Sequence, residues 1–255
     1  MIDVKQVREL ADRYQTPADN ILREYFQHLF LSHLYRQKDA DHLLFKGGTA
    51  LRIIWQSPRF SEDLDFTCLA GRPAGSPTRI HAIESLLEKT LAGIEGEGIH
   101  VKIDEAKKTS GGYFSILQFE GGENRGGIQL EVSLRAAGRV RGETALIASE
   151  FLPPFTLIHL EEKILVQEKV NALLTRAKPR DFYDLYFILR SRLAFNEVFQ
   201  KDKTWKRRLL EAVSKTKLDA KSELKRFLPT NQHGLLKNFK SILNAEIKRT
   251  LPVTR

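Results

Sequence analysis

The sequence predicts an α+β protein, in which a sheet domain with flanking helices at residues 1–152 is followed by a helical domain at residues 153–255. Short segments before residue 136 alternate polar and apolar residues, which is typical of half-buried strands. After Pro153-Pro154 the apolar residues recur at helical spacing. Residues 201–255 hold 15 Lys and Arg against 5 Asp and Glu, whereas the other 200 residues hold 26 against 27. A basic C-terminal part of this kind indicates a polyanionic partner.

The composition is that of an ordinary globular protein, with 42% hydrophobic and 29% charged residues. No apolar run approaches the roughly 18 residues that span a bilayer. The single cysteine, Cys68, excludes an internal disulfide and fits a reducing compartment, so we expect a cytoplasmic protein. The seven histidines are scattered and show no metal-binding spacing.

The first elements are predicted from apolar spacing and from helix-start residues. Two helices fit residues 3–35, the second with Thr16 as N-cap and Pro17 at its first position. A short strand at 43–45 then leads through two glycines to a helix at about 49–55, which Ser57-Pro58 ends.

The stretch from Phe45 to Phe66, FKGGTALRIIWQSPRFSEDLDF, concentrates the residues that suggest chemistry. If its end is a strand, Asp63 and Asp65 project from one face, about 7 Å apart at the Cα atoms. Two such carboxylates suit a divalent cation bound by oxygen. The Lys46-Gly47-Gly48-Thr49 turn could bring backbone N–H groups close to phosphate, because glycine permits close approach and a helix N-terminus favours anions.

A helix is predicted at about 78–94, and three strands at 99–105, 113–120 and 127–135. In the third strand Ile128, Leu130 and Val132 alternate with polar residues, so Glu131 lies on the polar face. Taken by itself, that glutamate is an ordinary solvated strand residue.

The C-terminal part begins after a linker-like stretch at 139–155. A helix is predicted at about 157–175, with Lys169 and Arg176 two turns apart on one face, and the next helix starts near Pro179 with Asp181 and Asp184 on one face. Helices at about 196–213, 217–227 and 233–249 carry the basic excess. Trp205 among them either packs in the core or stacks on a base.

Two motifs resemble a known family. Gly47-Gly48-Thr49-Ala50-Leu51-Arg52 and the segment Arg59–Phe66 are similar to the opening and close of the AbiEii/AbiGii toxin family, within the DNA polymerase β-type nucleotidyltransferase superfamily. A second motif of the family matches Lys169, Ala172, Leu173, Arg176, Lys178, Arg180, Asp181 and Asp184. The resemblance covers roughly residues 40–190.

The resemblance implies a nucleotidyltransferase mixed sheet followed by a C-terminal helical bundle. It implies Mg²⁺ or Mn²⁺ held by Asp63, Asp65 and Glu131, with these three acids, Lys169 and Asp184 as the catalytic set. The nucleotide would be bound by Gly47, Gly48, Thr49, Ser61, Arg176 and Arg180. Ser61 shares the face of the two aspartates only if the strand extends that far, and the Arg176–Asp181 pair could be purely structural.

The implied function is metal-dependent transfer of a nucleotide from a nucleoside triphosphate (NTP) to RNA, at the 3′ end of tRNA, by a toxin of a bacterial toxin–antitoxin system. A cognate antitoxin is then a further expected partner, and a membrane is not. The same site could instead nucleotidylylate a protein hydroxyl. A non-catalytic module that binds RNA or a partner is the other alternative.

Overall fold

The computed structural model describes residues 1–69, 78–135 and 140–251, which fall into two compact units. Unit 1 comprises Met1–Gln56 and Phe60–Leu160 and contains the sheet. Unit 2 comprises Ser57–Arg59 and Glu161–Arg255 and is helical. No helix in the described part of the chain is long and apolar enough to cross a membrane.

Unit 1 alternates helices and strands along the chain. Its helices are α1 (Val4–Tyr14), α2 (Ala18–Leu34), α3 (Gly47–Ile53) and α4 (Arg79–Glu95), and a 3₁₀ turn covers Ala40–His42. Its strands are β1 (Leu43–Lys46), β2 (Asp63–Cys68), β3 (His100–Thr109), β4 (Gly112–Gly121), β5 (Asn124–Ser133), β6 (Gly142–Ile147) and β7 (Phe155–Leu160).

The seven strands form one sheet in the order β3-β4-β5-β2-β1-β7-β6. The pairs β2–β5 and β1–β7 are parallel, and the other neighbours are antiparallel. The predicted mixed sheet with flanking helices is therefore confirmed. The clean alternation expected around Glu131 is also present, because Ile128, Leu130 and Val132 are buried between more exposed neighbours.

One face of the sheet is covered by helices and holds the core of unit 1. Helix α2 packs on β5 and α4 packs on β3. The ring of Phe26 stacks on that of Phe119 with centroids 4.9 Å apart, and Leu64 and Leu130 are fully buried on the same face. Because strand side chains alternate, residues at the intervening positions project from the opposite, more polar face.

Unit 2 consists of helices with an apolar interior. They are α5 (Glu162–Arg176), α6 (Pro179–Ser191), a π-helical turn (Phe195–Gln200), α7 (Trp205–Lys215), α8 (Ala220–Leu224), a 3₁₀ turn (Thr230–Gln232), α9 (His233–Leu236) and α10 (Phe239–Thr250). Tyr183 and Phe239 stack between α6 and α10 with ring centroids 6.1 Å apart. The predicted C-terminal helices are thus present, in shorter pieces than expected.

The structure differs from the sequence predictions around residues 139–160. The predicted linker contains β6, and the start of the predicted helix is strand β7, which pairs with β6 over its whole length. The two units separate between Leu160 and Glu161 rather than after residue 152. The spacing of Leu157 and Leu160 fits a helix as well as a strand. Residues 155–160 form a strand because they pair with neighbouring strands of the sheet, which local spacing does not show.

Candidate active site

A row of residues crosses the polar face of the sheet, with one residue contributed by each of five adjacent strands. Asp65 is in register with Glu131 on one side and with Lys46 on the other. Glu131 is in register with Phe114, and Phe114 with Lys107. At about 4.8 Å per strand, the row spans roughly 19 Å. All five residues line a cavity of 390 Å³.

The carboxylate of Asp65 lies against the backbone of Gly47 at the start of α3. A Cβ atom added to Gly47 would overlap that side chain, lying 2.7 Å from Cγ of Asp65 and closer still to Oδ2. Gly47 also has a φ of +86°. Only glycine meets both requirements, because it has no Cβ and adopts positive φ without strain. The glycine turn therefore brings backbone directly beside the carboxylate.

The start of β2 fixes the positions of Asp63, Thr49 and Ser61. Thr49 is fully buried, and its hydroxyl donates a 2.5 Å hydrogen bond to the backbone carbonyl of Asp63. Because the strand begins at Asp63, Ser61 lies outside it, and the carbonyl of Ser61 accepts a bond from Nε2 of Gln27. The Thr49 hydroxyl thus holds β2 against α3 and is already bound to a backbone carbonyl.

The arginine of the glycine motif has a structural partner. The guanidinium of Arg52 donates to both carboxylate oxygens of Glu24 on α2, at 2.7 and 3.1 Å, and lies 4.0 Å from the ring centroid of Phe60. Both ends of the ion pair are nearly buried, at 11% and 8% exposure. Arg52 therefore ties α3 to α2 and orients the glycine turn rather than facing the cavity.

A buried ion cluster occupies unit 2. Asp184 is 1% exposed and accepts hydrogen bonds from Nε of Arg59 at 2.9 Å and from Nζ of Lys169 at 2.8 Å. Burial acts to raise the pKa of Asp184, but Arg59 and Lys169 outweigh it, and the pKa lies below its usual value. An ionised Asp184 between two cations is suited to holding the Lys169 ammonium in place.

The remaining predicted residues of unit 2 have different surroundings. Arg176 donates from Nε and Nη2 to both carboxylate oxygens of Asp181, at 2.9 and 2.7 Å, which is the structural pairing left open by the sequence. Nε of Arg180 is buried without a hydrogen-bond partner and lies 3.9 Å from Glu223. Arg180 is thus the less constrained of the two guanidinium groups predicted to bind nucleotide.

The sequence reasoning did not identify several residues of these two clusters. Lys46 was predicted only as part of the glycine turn, and Phe114 and Lys107 were not predicted, because only strand register shows that the three residues share a row with Asp65 and Glu131. Arg59 belongs to the motif Arg59–Phe66, which gives it no role by itself. The available signal for Phe114 was the alternation of its strand, which puts it on the same face as Gln118 and Glu120.

The donor atoms of the row suit a hard divalent cation. Within residues 1–69, 78–135 and 140–251, no three His, Cys, Asp or Glu side chains group closely enough to hold a metal ion. Mg²⁺, however, commonly uses one or two carboxylates together with water and substrate phosphates. Asp65 and Glu131 bring two carboxylates into direct register on neighbouring strands. Their oxygen chemistry therefore fits the expected metal.

Several lysines of the basic C-terminal helices are already bound within unit 2, Lys206 and Lys240 among them. Nζ of Lys206 donates to the backbone carbonyls of Lys248 and Leu251, at 2.9 and 3.0 Å, at the end of α10. The guanidinium of Arg208 lies 4.4 Å from the ring centroid of Trp205, which is half-buried. Lys203 and Arg207 are exposed and better placed to meet an external polyanion.

Comparisons with known proteins agree with this fold and these motifs. The chain is similar in structure to JHP933 from Helicobacter pylori, with a TM-score of 0.60, 19% identity, and 92% of this chain and 93% of that chain covered. A second H. pylori structure, solved under a provisional nucleotidyltransferase description, matches with a TM-score of 0.59 and 19% identity over 89% of this chain and 92% of that one. At these identities the likeness shows the fold alone. No curated protein sequence matches the chain.

A family model matches most of the sequence. The model describes the nucleotidyl transferase AbiEii toxin of type IV toxin–antitoxin (TA) systems, and it covers residues 29–248. This range includes the glycine turn, Asp63, Asp65, Glu131 and both cations around Asp184. The chain therefore belongs to the AbiEii family of nucleotidyltransferase toxins of type IV TA systems, and it is a nucleotidyltransferase.

Proposed function

We propose that this nucleotidyltransferase transfers a nucleoside monophosphate from an NTP to the 3′ end of an RNA, with tRNA as the acceptor, in a metal-dependent reaction. The observation that carries the proposal is the register of Lys46, Asp65 and Glu131 on three adjacent strands lining one cavity. An ammonium group beside two carboxylates suits a polyphosphate substrate. The ammonium can neutralise charge on the phosphates, and a carboxylate can accept the proton of the attacking hydroxyl.

The proposed reaction follows from these positions. The terminal hydroxyl oxygen of the RNA attacks the α-phosphorus, the bond from that phosphorus to the bridging oxygen breaks, and pyrophosphate leaves. Glu131 receives or orients the proton of the attacking hydroxyl. Backbone N–H groups at Gly47, Gly48 and Thr49 bind phosphate oxygens, and Lys46 balances their charge. Transfer of this kind is driven mainly by positioning and electrostatic stabilisation.

Asp63, Asp65 and Glu131 would hold Mg²⁺ or Mn²⁺, and a bound divalent ion would supply charge stabilisation on the phosphoryl oxygens. Asp65 is the central ligand of this proposal, since it is in register with both Glu131 and Lys46. Contacts with phosphate or nucleotide stay predictions for four further residues: Lys169, Arg176, Arg180 and Ser61. For Asp184 we revise the role from catalysis to positioning of Lys169, because its carboxylate is buried and bound by two cations.

The test is nucleotide transfer from each labelled NTP, with Mg²⁺, to purified tRNA and in a separate reaction to total cell protein, using Asp65→Asn and Glu131→Gln. Loss of an oxyanion-type or metal-binding contact costs about 10²–10³ in kcat, so we expect at least that loss from Asp65→Asn. Glu120→Gln is the matched control, because Glu120 is an exposed strand glutamate on the same sheet face that does not line the cavity.

The outcomes separate the alternatives. Transfer to tRNA by the parent protein and by Glu120→Gln, but not by Asp65→Asn, supports the proposal. Label that enters cell protein instead of tRNA replaces the RNA acceptor with a protein hydroxyl. An Asp65→Asn protein that melts like the parent and still transfers nucleotide removes the sheet row from the chemistry.

RNA as the acceptor is supported by the charge distribution. The last 55 residues hold 15 Lys and Arg against 5 Asp and Glu, and phosphate contacts from such side chains supply most sequence-independent affinity for nucleic acid. Membership of a type IV TA toxin family also implies a cognate antitoxin.

A further inference from the structure

The far end of the sheet row carries an aromatic ring on a face that is otherwise polar. Phe114 is half-buried, is in register with Glu131 on β5 and with Lys107 on β3, and lines the same cavity as Asp65. The core face of β4 is formed instead by Tyr113, Leu117 and Phe119. The ring of Phe114 therefore does not contribute to the main core, although it lies one strand from a predicted catalytic carboxylate.

Two cations line the same cavity as this ring. Nζ of Lys107 lies 5.1 Å from the ring centroid of Phe114 and 2.5 Å from Oε1 of Glu105. Arg135 lines the same cavity and donates from Nη2 to the hydroxyl of Ser110 at 3.2 Å. An aromatic face beside lysine and arginine is the combination by which proteins bind a single-stranded nucleotide, with the base stacked and the phosphate paired.

The guanidinium of Arg135 lies against the backbone of the β3–β4 turn. A Cβ atom added to Gly111 would lie 2.6 Å from Nη2 of Arg135 and closer still to Nε, so the two residues are in close contact, although an exposed arginine side chain could move aside. The turn thus contacts a cation that lines the same cavity as Phe114.

We propose that Phe114, Lys107 and Arg135 form the subsite for the 3′-terminal nucleotide of the acceptor RNA. The proposal rests on the proposed function. There the triphosphate lies at Gly47 on the β1 side of Asp65, and the attacking hydroxyl lies at Glu131. The acceptor nucleotide then lies beyond Glu131, where Phe114 is the next residue of the row.

The base stacks on Phe114 and displaces the Lys107 ammonium from the ring. An exposed cation–π contact is weaker than base stacking, and lysine has a flexible stem that lets the ammonium turn to the adjacent phosphate. Arg135 pairs with the same or the preceding phosphate. Because every base has a stacking face, this subsite tolerates different terminal bases.

The experiment compares Phe114→Ala and Phe114→Trp with the parent in two assays. The first is steady-state transfer, with KM measured separately for tRNA and for the NTP. The second is equilibrium binding of a short single-stranded oligoribonucleotide with a free 3′ hydroxyl, followed by fluorescence anisotropy, which needs no turnover. Ile116→Ala is the matched control, because Ile116 is half-buried on the same face of the same strand and does not line the cavity.

We expect Phe114→Ala to raise KM for tRNA and Kd for the oligonucleotide about tenfold, as loss of one stacking partner does, with KM for the NTP unchanged. Phe114→Trp should restore both values. Lys107→Ala with Arg135→Ala should weaken oligonucleotide binding and reduce its salt dependence. Ile116→Ala should match the parent, and melting temperatures verify that each variant is folded.

Two results would overturn the subsite. One is a folded Phe114→Ala protein whose KM for tRNA and Kd for the oligonucleotide equal those of the parent. The other is a rise in KM for the NTP alone, which would make Phe114 a contact of the donor base. A parent protein that transfers nothing to RNA refutes the proposed function instead, and the anisotropy assay still decides whether Phe114 binds RNA.

Discussion

Gly47 and Asp65 form a close fit at the centre of the sheet row, where the carboxylate of Asp65 occupies the space that a Cβ atom on Gly47 would need. The two residues come from α3 and from the adjacent strand β2, and they approach because β1 and β2 pair in antiparallel register up to Lys46 and Asp65. The glycine is thus required by the carboxylate as well as by its own φ of +86°.

Gly47→Ala should abolish nucleotide transfer, because the added methyl group must displace the Asp65 carboxylate. The matched control is Gly98→Ala, since Gly98 has a similar φ of +81° with nothing within 4 Å of its Cβ position. Gly98→Ala should cost about 1–2 kcal/mol of unfolding free energy from backbone strain and keep full activity. Comparable activity in the two purified variants would show that the Gly47–Asp65 fit is unimportant for transfer.

His28 gives unit 1 a specific acid sensitivity. It is buried with Nδ1 unpaired, its ring lies 5.2 Å from that of Phe151, and burial together with Arg52 lowers its pKa from 6.5 to about 3. The unfolded chain therefore binds a proton below about pH 6.5 that the folded chain does not. The contribution of the neutral His28 imidazole to the unfolding free energy is therefore complete above about pH 6.5 and is lost as the pH falls towards 3.

Between about pH 7 and about pH 5 this linkage should lower the unfolding free energy by about 2 kcal/mol, and His28→Phe should remove that loss. Urea unfolding at the two pH values measures it. His81→Phe, at an exposed position in α4, should leave the loss in place. An unchanged pH dependence in folded His28→Phe would mean that His28 is protonated in the native state.

The ion cluster of unit 2 should be sensitive to loss of its acid. Asp184→Asn leaves Arg59 and Lys169, whose side chains are 5% and 12% exposed, without their shared counter-charge. Removing one partner of a buried ion pair typically costs about 3–5 kcal/mol, and we expect a loss of this size in urea unfolding. Because the pKa of Asp184 is depressed, its contribution persists down to about pH 3.8 and disappears below it.

Asp181→Asn is the control for this effect. Asp181 is as deeply buried, but its partner Arg176 is 46% exposed and can turn to water, so the loss should be smaller. Equal losses from the two substitutions would show that the pairing of Asp184 with two cations adds nothing beyond burial of a carboxylate.

The basic helices should contribute a salt-dependent part of RNA affinity. Lys203→Glu with Arg207→Glu should weaken tRNA binding and reduce the slope of log K against log salt by about 1–2 units. Lys206 is unsuitable for this purpose, because replacing it removes the ammonium group that donates to two carbonyls at the end of α10. Lys5→Glu with Arg8→Glu changes the net charge equally at exposed sites of α1, and should have a smaller effect. Equal slopes in the two double variants would remove α7 from the RNA surface.

The sequence predicted the structure best where the alternation of polar and apolar side chains agrees with the spacing of the motif residues. The alternation around Glu131 and the position of Asp63 and Asp65 on one strand face follow from the two-residue period of a strand. Residues 157–160 were predicted to begin a helix, because a short apolar run satisfies both periods, whereas they belong to strand β7. Their pairing with β6 and β1 depends on segments far away in the chain.

The sequence alone determined the family motifs, the helical C-terminal part, and which acids project from the polar side of their strands, since these depend on local spacing. Only the tertiary structure decided that Asp65 and Glu131 are direct partners, that Lys46, Phe114 and Lys107 extend their row, and that Arg59 binds Asp184. Register between strands and contacts between distant segments are set by packing of the whole core, which no local pattern encodes.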